Sequence, residues 1–329
     1  MKITYLYRHN DIGFSIGKVF KTITDEIRKT VEVNEFYMPS SGASPWQILR
    51  NGLYAYKHRN RFGINHITGS EHFLTLFLSF KRTVVTVHDV MYLNYLTGMK
   101  RFIWKQLYIK TLKYADKVTF ISQEAKNKTL EHVKLPEEKT FIIPNPVSED
   151  FKFIDKEFNV VKPIILHIGT LERKNLIRTV EALKGIKCHL RIIGKLDDEI
   201  LKLLQVNKIE FSNGTGLTDE EIVQEYNNCD IVNFVSLLEG FGMPIIEGQA
   251  TGRIVITSNI SPMKDVANDG AVLVDPYDIE SIKKGYLFVI KNENERNDII
   301  KKGLKNAKRF KASEIAKQYL AVYDTILSK

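Results

Sequence analysis

The stretch DIVNFVSLLEGFGMPIIEGQATGRIVITS, residues 230–258, decides the fold. It opens on a β-rich apolar run, DIVNFVS, and closes on another, RIVITS. Between them lie a Gly-rich turn and a helical segment. Pro244 suits the first turn of that helix, where a missing N–H costs nothing. Gly252 suits its exit. Strand, helix and strand in this order build a parallel sheet covered on its faces by helices.

The same alternation runs through the whole chain. The first half carries the strand-like runs KITYLY, VEVNEFY, INHIT, TVVTVHD, KVTFIS and KTFII, with helical patterns near 15–30, 100–115 and 123–132. The second half carries PIILHIG, HLRIIG, IEF, DIVNFVS, RIVITS and AVLVD, with helices near 175–184, 198–205, 219–228, 244–251, 262–267 and 279–290. Thr218 and Glu221 have capping-box spacing. Two such runs predict two Rossmann-like α/β domains facing each other. The expected boundary lies near DKEFNVVKP, giving domains at 1–160 and 161–310. The amphipathic segment SEIAKQYLAVYDTIL, within 311–329, is expected to form a last helix with no strand after it, returning to the first domain.

Composition narrows the class. A chain of 329 residues with 43% hydrophobic and 26% charged residues is globular and long enough for two cores. No apolar run approaches the ~18 residues of a membrane span, and the opening MKITYLYR reads as a strand rather than a signal peptide. Cys188 and Cys229 form no CxxC pair, which argues against a disulfide framework or a zinc site and predicts a reducing cytosol. The formal charge of +9 is uneven. Residues 1–160 hold 24 Lys and Arg against 16 Asp and Glu, whereas residues 161–329 hold 24 against 23. The first half therefore faces something acidic.

Two carboxylates, Glu239 and Glu247, bracket the turn before the helix at 244. Glu247 is expected in the first turn, about its fourth residue, with its side chain leaning back towards the helix mouth. Glu239 lies in the loop before that mouth. Free amides near Gly242 and Met243 point to the same place. Acceptors and donors side by side suit a ligand rich in hydroxyls and anionic oxygens, as a nucleotide sugar is. Ligands of parallel sheets also bind beyond the carboxyl ends of strands. Acids at a helix start can instead simply complement its dipole. In HIGTLERKNL a strand ends at Gly169 and a helix starts near Asn175, with Arg173 and Lys174 at the junction. Cations there oppose the helix dipole unless a phosphate sits among them.

These motifs resemble those of the retaining glycosyltransferases of family 4, which have the GT-B fold. EGFGMPIIE resembles the family's E-x7-E motif, GTLERKN its diphosphate loop, and VTVHDV its histidine-ended strand. FSNGTGLTDEEIVQEYNNCDIVNFVS, VITSNISPMKDVANDGAVLVDPYD and IIPNPV follow the family's phrasing too. The resemblance implies that Glu247 accepts hydrogen bonds from ribose hydroxyls. Glu239 would hold hydroxyls of the transferred sugar, with the amides of Phe241, Gly242 and Met243. Arg173 and Lys174 would grip the diphosphate, backbone at Gly216 and Leu217 would meet the base, and His88 would reach the donor sugar. In place of the family's Gly-Gly-x-Gly loop the chain reads DIGFSIGKVF. Gly17 matches the last glycine, while Phe14 and Ser15 stand where the paired glycines would be.

The implied activity is transfer of a hexose from a nucleoside diphosphate sugar to a saccharide or lipid-linked saccharide, in bacterial surface polysaccharide assembly. With no Asp-x-Asp sequence, no cofactor and no metal is expected, since Arg173 and Lys174 can neutralise the diphosphate. Asp89 and His88, adjacent in a strand, are expected to point to opposite faces. Two other readings remain: a nucleotide-sugar 2-epimerase, and a non-catalytic nucleotide-sugar or saccharide-binding partner. No nucleic-acid motif is present. The acid-free stretches 36–70 and 90–115 suggest an anionic membrane surface at the inner face of the cell membrane. Arg101, Lys105, Lys110 and Lys113 would form one helix face with Phe102, Ile109 and Leu112 among them, and Trp104, Leu107, Tyr108 and Tyr114 would face the core.

Overall fold

The computed structural model describes residues 1–10 and 14–328, without the side chains of Phe14 and Ser15. It divides into two compact units, Met1–Pro146 with Ala312–Lys329, and Val147–Lys311.

In the first unit six strands form one sheet: β1 (Lys2–Tyr7), β2 (Glu32–Tyr37), β3 (Ile64–Ile67), β4 (Thr83–Val87), β5 (Lys117–Phe120) and β6 (Thr140–Ile142). The order is β2-β1-β3-β4-β5-β6, and every pairing is parallel. Its helices are α1 (Phe14–Ile27), α2 (Pro45–His58), α3 (Gly98–Trp104) and α4 (Gln123–Leu130). The second unit repeats the plan with β7 (Ile164–Ile168), β8 (His189–Ile193), β9 (Phe211–Gly214), β10 (Ile231–Phe234), β11 (Ile254–Ser258) and β12 (Val272–Val274). Their order is β12-β11-β10-β7-β8-β9, again all parallel. The helices here are α5 (Leu176–Ala182), α6 (Asp198–Val206), α7 (Asp219–Asn228), α8 (Met243–Ala250), α9 (Met263–Ala267), α10 (Ile279–Lys291) and α11 (Glu293–Ala307). The last helix, α12 (Ala312–Leu327), belongs to the first unit. Central strands such as β4 and β11 are buried at every residue, as a sheet covered on both faces requires.

The units part at residues 146 and 147, upstream of the boundary expected at 160. The reason is Asp230, whose side chain is 1% exposed. It pairs with Lys156 and accepts from the backbone N–H groups of Asn159 and Ile164. A buried carboxylate must be paired, and the partners come from the 147–160 segment, which is thereby tied to the second sheet. Phe151 adds an edge-on contact with Tyr226, centroids 5.1 Å apart.

Two helices escaped the periodicity reading, α2 and α11. For α2 the signal was present: Ser44 and Gln47 form a capping box and Pro45 opens the helix. The helix expected over 100–115 is broken into α3, a π-turn at Lys105–Ile109 and a 3-10 turn at Lys110–Tyr114. Ile109 and Leu112, expected on the basic face, are fully buried. The change of helical pitch rotates them inward, while Tyr108 is buried as expected.

α12 is held to the first sheet by a buried hydroxyl network. His66 Nδ1 meets the Tyr323 hydroxyl at 2.6 Å, and His66 Nε2 meets Thr86 Oγ1 at 2.8 Å. The Tyr323 hydroxyl also meets that of Tyr5 at 3.0 Å, and Thr86 Oγ1 meets Tyr319 at 3.2 Å. Burial pushes the His66 pKa down to about 3, so its ring is neutral, with one nitrogen donating and the other accepting. Replacing Tyr323 by Phe leaves a buried His66 nitrogen and the Tyr5 hydroxyl unpaired. We expect a loss of about 1–3 kcal/mol. Urea unfolding followed by tryptophan fluorescence checks it, because Trp46 and Trp104 both lie in the first unit.

Candidate functional site

At the carboxyl end of β7 the chain turns at Gly169, passes through a 3-10 turn at Glu172–Lys174 and reaches Asn175, held at φ 63°. Asn175 is buried. Its amide donates to Val235 O at 3.0 Å and Pro276 O at 2.7 Å, and Arg178 donates to its side-chain oxygen. The N–H of Leu237 donates to Arg173 O at 2.8 Å. These bonds lock the loop after β7 to the loop after β10, so that two segments over sixty residues apart in sequence present one surface.

On that surface Arg173 and Lys174 both reach Glu239. Arg173 Nη1 lies 2.6 Å from Glu239 Oε2, and Lys174 Nζ lies 2.7 Å from Glu239 Oε1. Arg173 also donates to Leu238 O, and Lys174 Nζ stands 4.6 Å from the Phe234 ring centroid. Glu239 is 10% exposed and Lys174 15%. Burial lowers the Lys174 pKa, opposed by Glu239. Two cations on one carboxylate leave a net positive charge in a partly dehydrated site, which favours an anionic ligand.

α8 starts at Met243, with Pro244 in its first turn and Gly242 before it at φ 120°, a conformation glycine adopts at no steric cost. Glu247 is therefore the fifth helical residue, one position further along than expected and just past the first turn. Gly248 explains the depth of the helix. A Cβ there would lie 2.9 Å from Val232 and from Val255, so only glycine lets α8 settle onto β10 and β11. Glu247 accepts from the Tyr226 hydroxyl of α7 at 2.5 Å. Burial raises its pKa to about 7, against the Tyr226 hydrogen bond and the charge of Lys174, which lower it.

The structure thus brings together Arg173, Lys174 and Glu239. Phe241, Gly242 and Met243 follow directly into α8, and Glu247 feels Lys174 electrostatically. Gly216, at φ 67°, and Leu217 lie in the connection from the edge strand β9 to α7. His88 belongs to the first unit, where its Nε2 meets Thr68 O at 2.9 Å and burial lowers its pKa. It lines a cavity of about 660 Å³ with Arg8, Glu71, Asp89, Tyr92 and Trp104. Asp89 and His88 share that lining, contrary to the opposite-face expectation, because β4 ends at Val87 and the pleat does not reach them. Gly17 sits in the first turn of α1 with open space around it; the residues at 11–13 and the side chains at 14 and 15, where the glycine loop was sought, lie outside the described residues. Among the described residues no group of three His, Cys, Asp or Glu is placed to hold a metal ion. Sequence reasoning missed Tyr226 and Asn175, which act through tertiary contacts. It also missed Glu71, whose Oε1 pairs with Arg8 Nε at 3.1 Å while its buried Oε2 has no partner among the described residues.

Two family models match the chain, glycosyltransferase family 4 over residues 18–151 and glycosyl transferases group 1 over residues 148–306. Among curated proteins, the serotype-specific mannosyltransferase WbdA of Escherichia coli is 26% identical over 234 residues, which are 62% of this chain and 28% of that protein. The chain therefore corresponds to under a third of that relative's length. A second relative is the N,N'-diacetylbacillosaminyl-diphospho-undecaprenol alpha-1,3-N-acetylgalactosaminyltransferase of Campylobacter jejuni. It is 21% identical over 318 residues, covering 86% of this chain and 83% of the relative. Among solved structures, Anabaena HepE in complex with UDP and glucose superimposes with a TM-score of 0.79 at 15% identity, covering 99% of this chain and 100% of HepE.

The Glu247 carboxyl should titrate near pH 7. A raised carboxyl pKa means that the folded chain holds the proton more tightly. Stability from this group is thus full below about 4.5 and is lost as pH rises towards 7. We expect Glu247→Gln to match the parent near pH 4.5 and to melt at a higher temperature at pH 8. Tyr226→Phe should move the carboxyl midpoint further up, as NMR of the labelled carboxyl would show.

Proposed function

This chain belongs to the group 1 glycosyltransferases of family 4, with two parallel six-stranded α/β units of GT-B type, and on that premise we propose that it transfers a hexose. The donor is a nucleoside diphosphate sugar, and the acceptor a saccharide or lipid-linked saccharide of bacterial surface polysaccharide assembly. The observation that carries this reading is the Arg173–Glu239–Lys174 cluster beside Glu247. The names of the two relatives and the UDP and glucose bound to HepE agree with it.

In this reading the donor diphosphate shares the two cations with Glu239. Charge grows on the diphosphate as the bond from the sugar C1 to the phosphate oxygen breaks. Arg173 and Lys174 stabilise that charge most in the transition state. Glu239 and the amides of Phe241, Gly242 and Met243 orient the sugar, and Glu247 accepts from the ribose. Backbone at Gly216 and Leu217 meets the base. The acceptor oxygen bonds C1 on the face that the diphosphate leaves, and a phosphate oxygen takes the acceptor proton, so the anomeric configuration is retained. Fixed cations make a divalent ion unnecessary. The work is done at the cytoplasmic side of the membrane, where nucleotide sugars are available to a peripheral protein.

Assays of nucleotide-sugar turnover with EDTA and with magnesium or manganese test the chemistry, and NMR of the first-formed glycoside tests its stereochemistry. We expect EDTA-resistant transfer with retention. Loss of activity in EDTA restored by metal would overturn the cationic role, and an inverted product would overturn the mechanism.

Variants separate the residues. Arg173→Ala should lower kcat by roughly a hundredfold or more, with a smaller change in KM. Glu239→Ala removes the internal competitor for both cations. Calorimetry should then find the nucleoside diphosphate bound at least as tightly as in the parent while turnover falls. Measured at pH 8, where the Glu247 carboxyl is mostly ionised, Glu247→Ala should weaken that nucleotide by roughly tenfold or more, the loss of a charged acceptor costing about 1.5–3 kcal/mol.

A further inference from the structure

Helix α2 presents its large apolar side chains to solvent. Trp46, Leu49, Leu53 and Tyr56 fall within about 80° of one another at ~100° per residue, and they are 72%, 41%, 56% and 51% exposed. The opposite face is small and buried. Asn51, Gly52 and Ala55 face the unit, with Asn51 exchanging hydrogen bonds with the Ser40 backbone and Gly52 set against the Phe77 ring. This inverts the usual pattern, in which the large apolar residues of a surface helix turn to the core. Beyond the helix, Phe62 is 84% exposed. Single exposed apolar residues are ordinary, but a continuous ridge of them marks a contact surface.

The charge beside the ridge selects the occupant. Arg50 and Lys57 border it at the next helical positions, and the Arg59 guanidinium lies 3.5 Å over the Tyr56 ring. No Asp or Glu occurs from residue 36 to 70. A second copy of the chain would bring two cationic ridges together at a cost. An anionic bilayer meets both features, since the apolar side chains enter the boundary between headgroups and acyl chains while the cations meet lipid phosphate. α3 carries a similar face, with Met99, Phe102 and Ile103 at 70%, 59% and 49% exposure beside Lys100 and Arg101. Both helices also line the cavity that holds His88: Ile48 and Asn51 from α2, Lys100 and Trp104 from α3.

We propose that α2 is a membrane-docking wedge, inserting Trp46, Leu49, Leu53 and Tyr56 into an anionic lipid bilayer. The wedge holds the cavity of the first unit at the lipid surface. It gives the membrane side of the proposed function a definite contact, resting on that reading only for its purpose and not for its evidence.

The test uses the full chain with Trp104→Phe, which leaves Trp46 as the only indole of the two in the sequence. The probes are vesicles of phosphatidylcholine with phosphatidylglycerol, and vesicles of phosphatidylcholine alone. With the anionic vesicles Trp46 emission should shift to the blue and be quenched by lipids brominated in their acyl chains; neutral vesicles should leave it unchanged. Trp46→Ser with Leu53→Ser should weaken sedimentation with the anionic vesicles by roughly tenfold or more, at an unchanged melting temperature. Arg50→Glu with Lys57→Glu should do the same, as should high salt. Binding with Trp46 emission unmoved would place the contact elsewhere and overturn the wedge, as would no binding or equal binding to both vesicles. A chain that inserts Trp46 yet transfers no sugar would sink the transfer reading alone, and one that transfers sugar with Trp46 unmoved would sink the wedge alone.

Discussion

The candidate site depends on one carboxylate shared by two cations. Glu239 accepts from Arg173 and Lys174 at hydrogen-bond distance, each through a different oxygen. A buried ion pair contributes little net stability, because the charges give up their hydration to meet. The cluster is better understood as a device that holds positive charge ready. The backbone fixes its geometry. The Asn175 amide bridges to Val235 and Pro276, and the Leu237 amide bonds the Arg173 carbonyl.

The second acid of the pair is set differently. Glu247 stands next to Gly248, which lets α8 approach Val232 and Val255 closely. The same approach dehydrates the carboxyl and lifts its pKa towards neutrality, with Tyr226 and Lys174 pulling the other way. Two acids eight residues apart therefore have opposite characters. Glu239 is bound by two cations, whereas Glu247 is a half-neutral acceptor beside a tyrosine hydroxyl. Environment, rather than residue type, separates the roles.

The first unit uses its helices in another way. α12 is pinned to the sheet by hydroxyls of Tyr319 and Tyr323 that find His66, Thr86 and Tyr5 in the core. α2 packs through Asn51, Gly52 and Ala55 and leaves its bulky residues outside. The cavity around His88 gathers an Arg8–Glu71 pair and the stacked rings of Trp104 and Tyr108, 5.2 Å apart.

The amino-acid sequence alone determined the alternation of strands and helices, hence two parallel α/β units, because period-two and period-3.6 patterns are local. It also determined the residues of the cluster and the start and exit of α8, because proline and glycine act on their own backbone. The capping boxes at Thr218 and Ser44 were equally legible, although the second went unread and α2 with it. Tertiary structure decided what depends on residues far apart in the chain. The unit boundary followed from Asp230 reaching back to Lys156. The union of Arg173 and Lys174 with Glu239 needed the Asn175 bridge, and the near-neutral pKa of Glu247 needed the burial that Gly248 permits. Each of these is a contact or a loss of water, and neither is written in any one segment of the sequence.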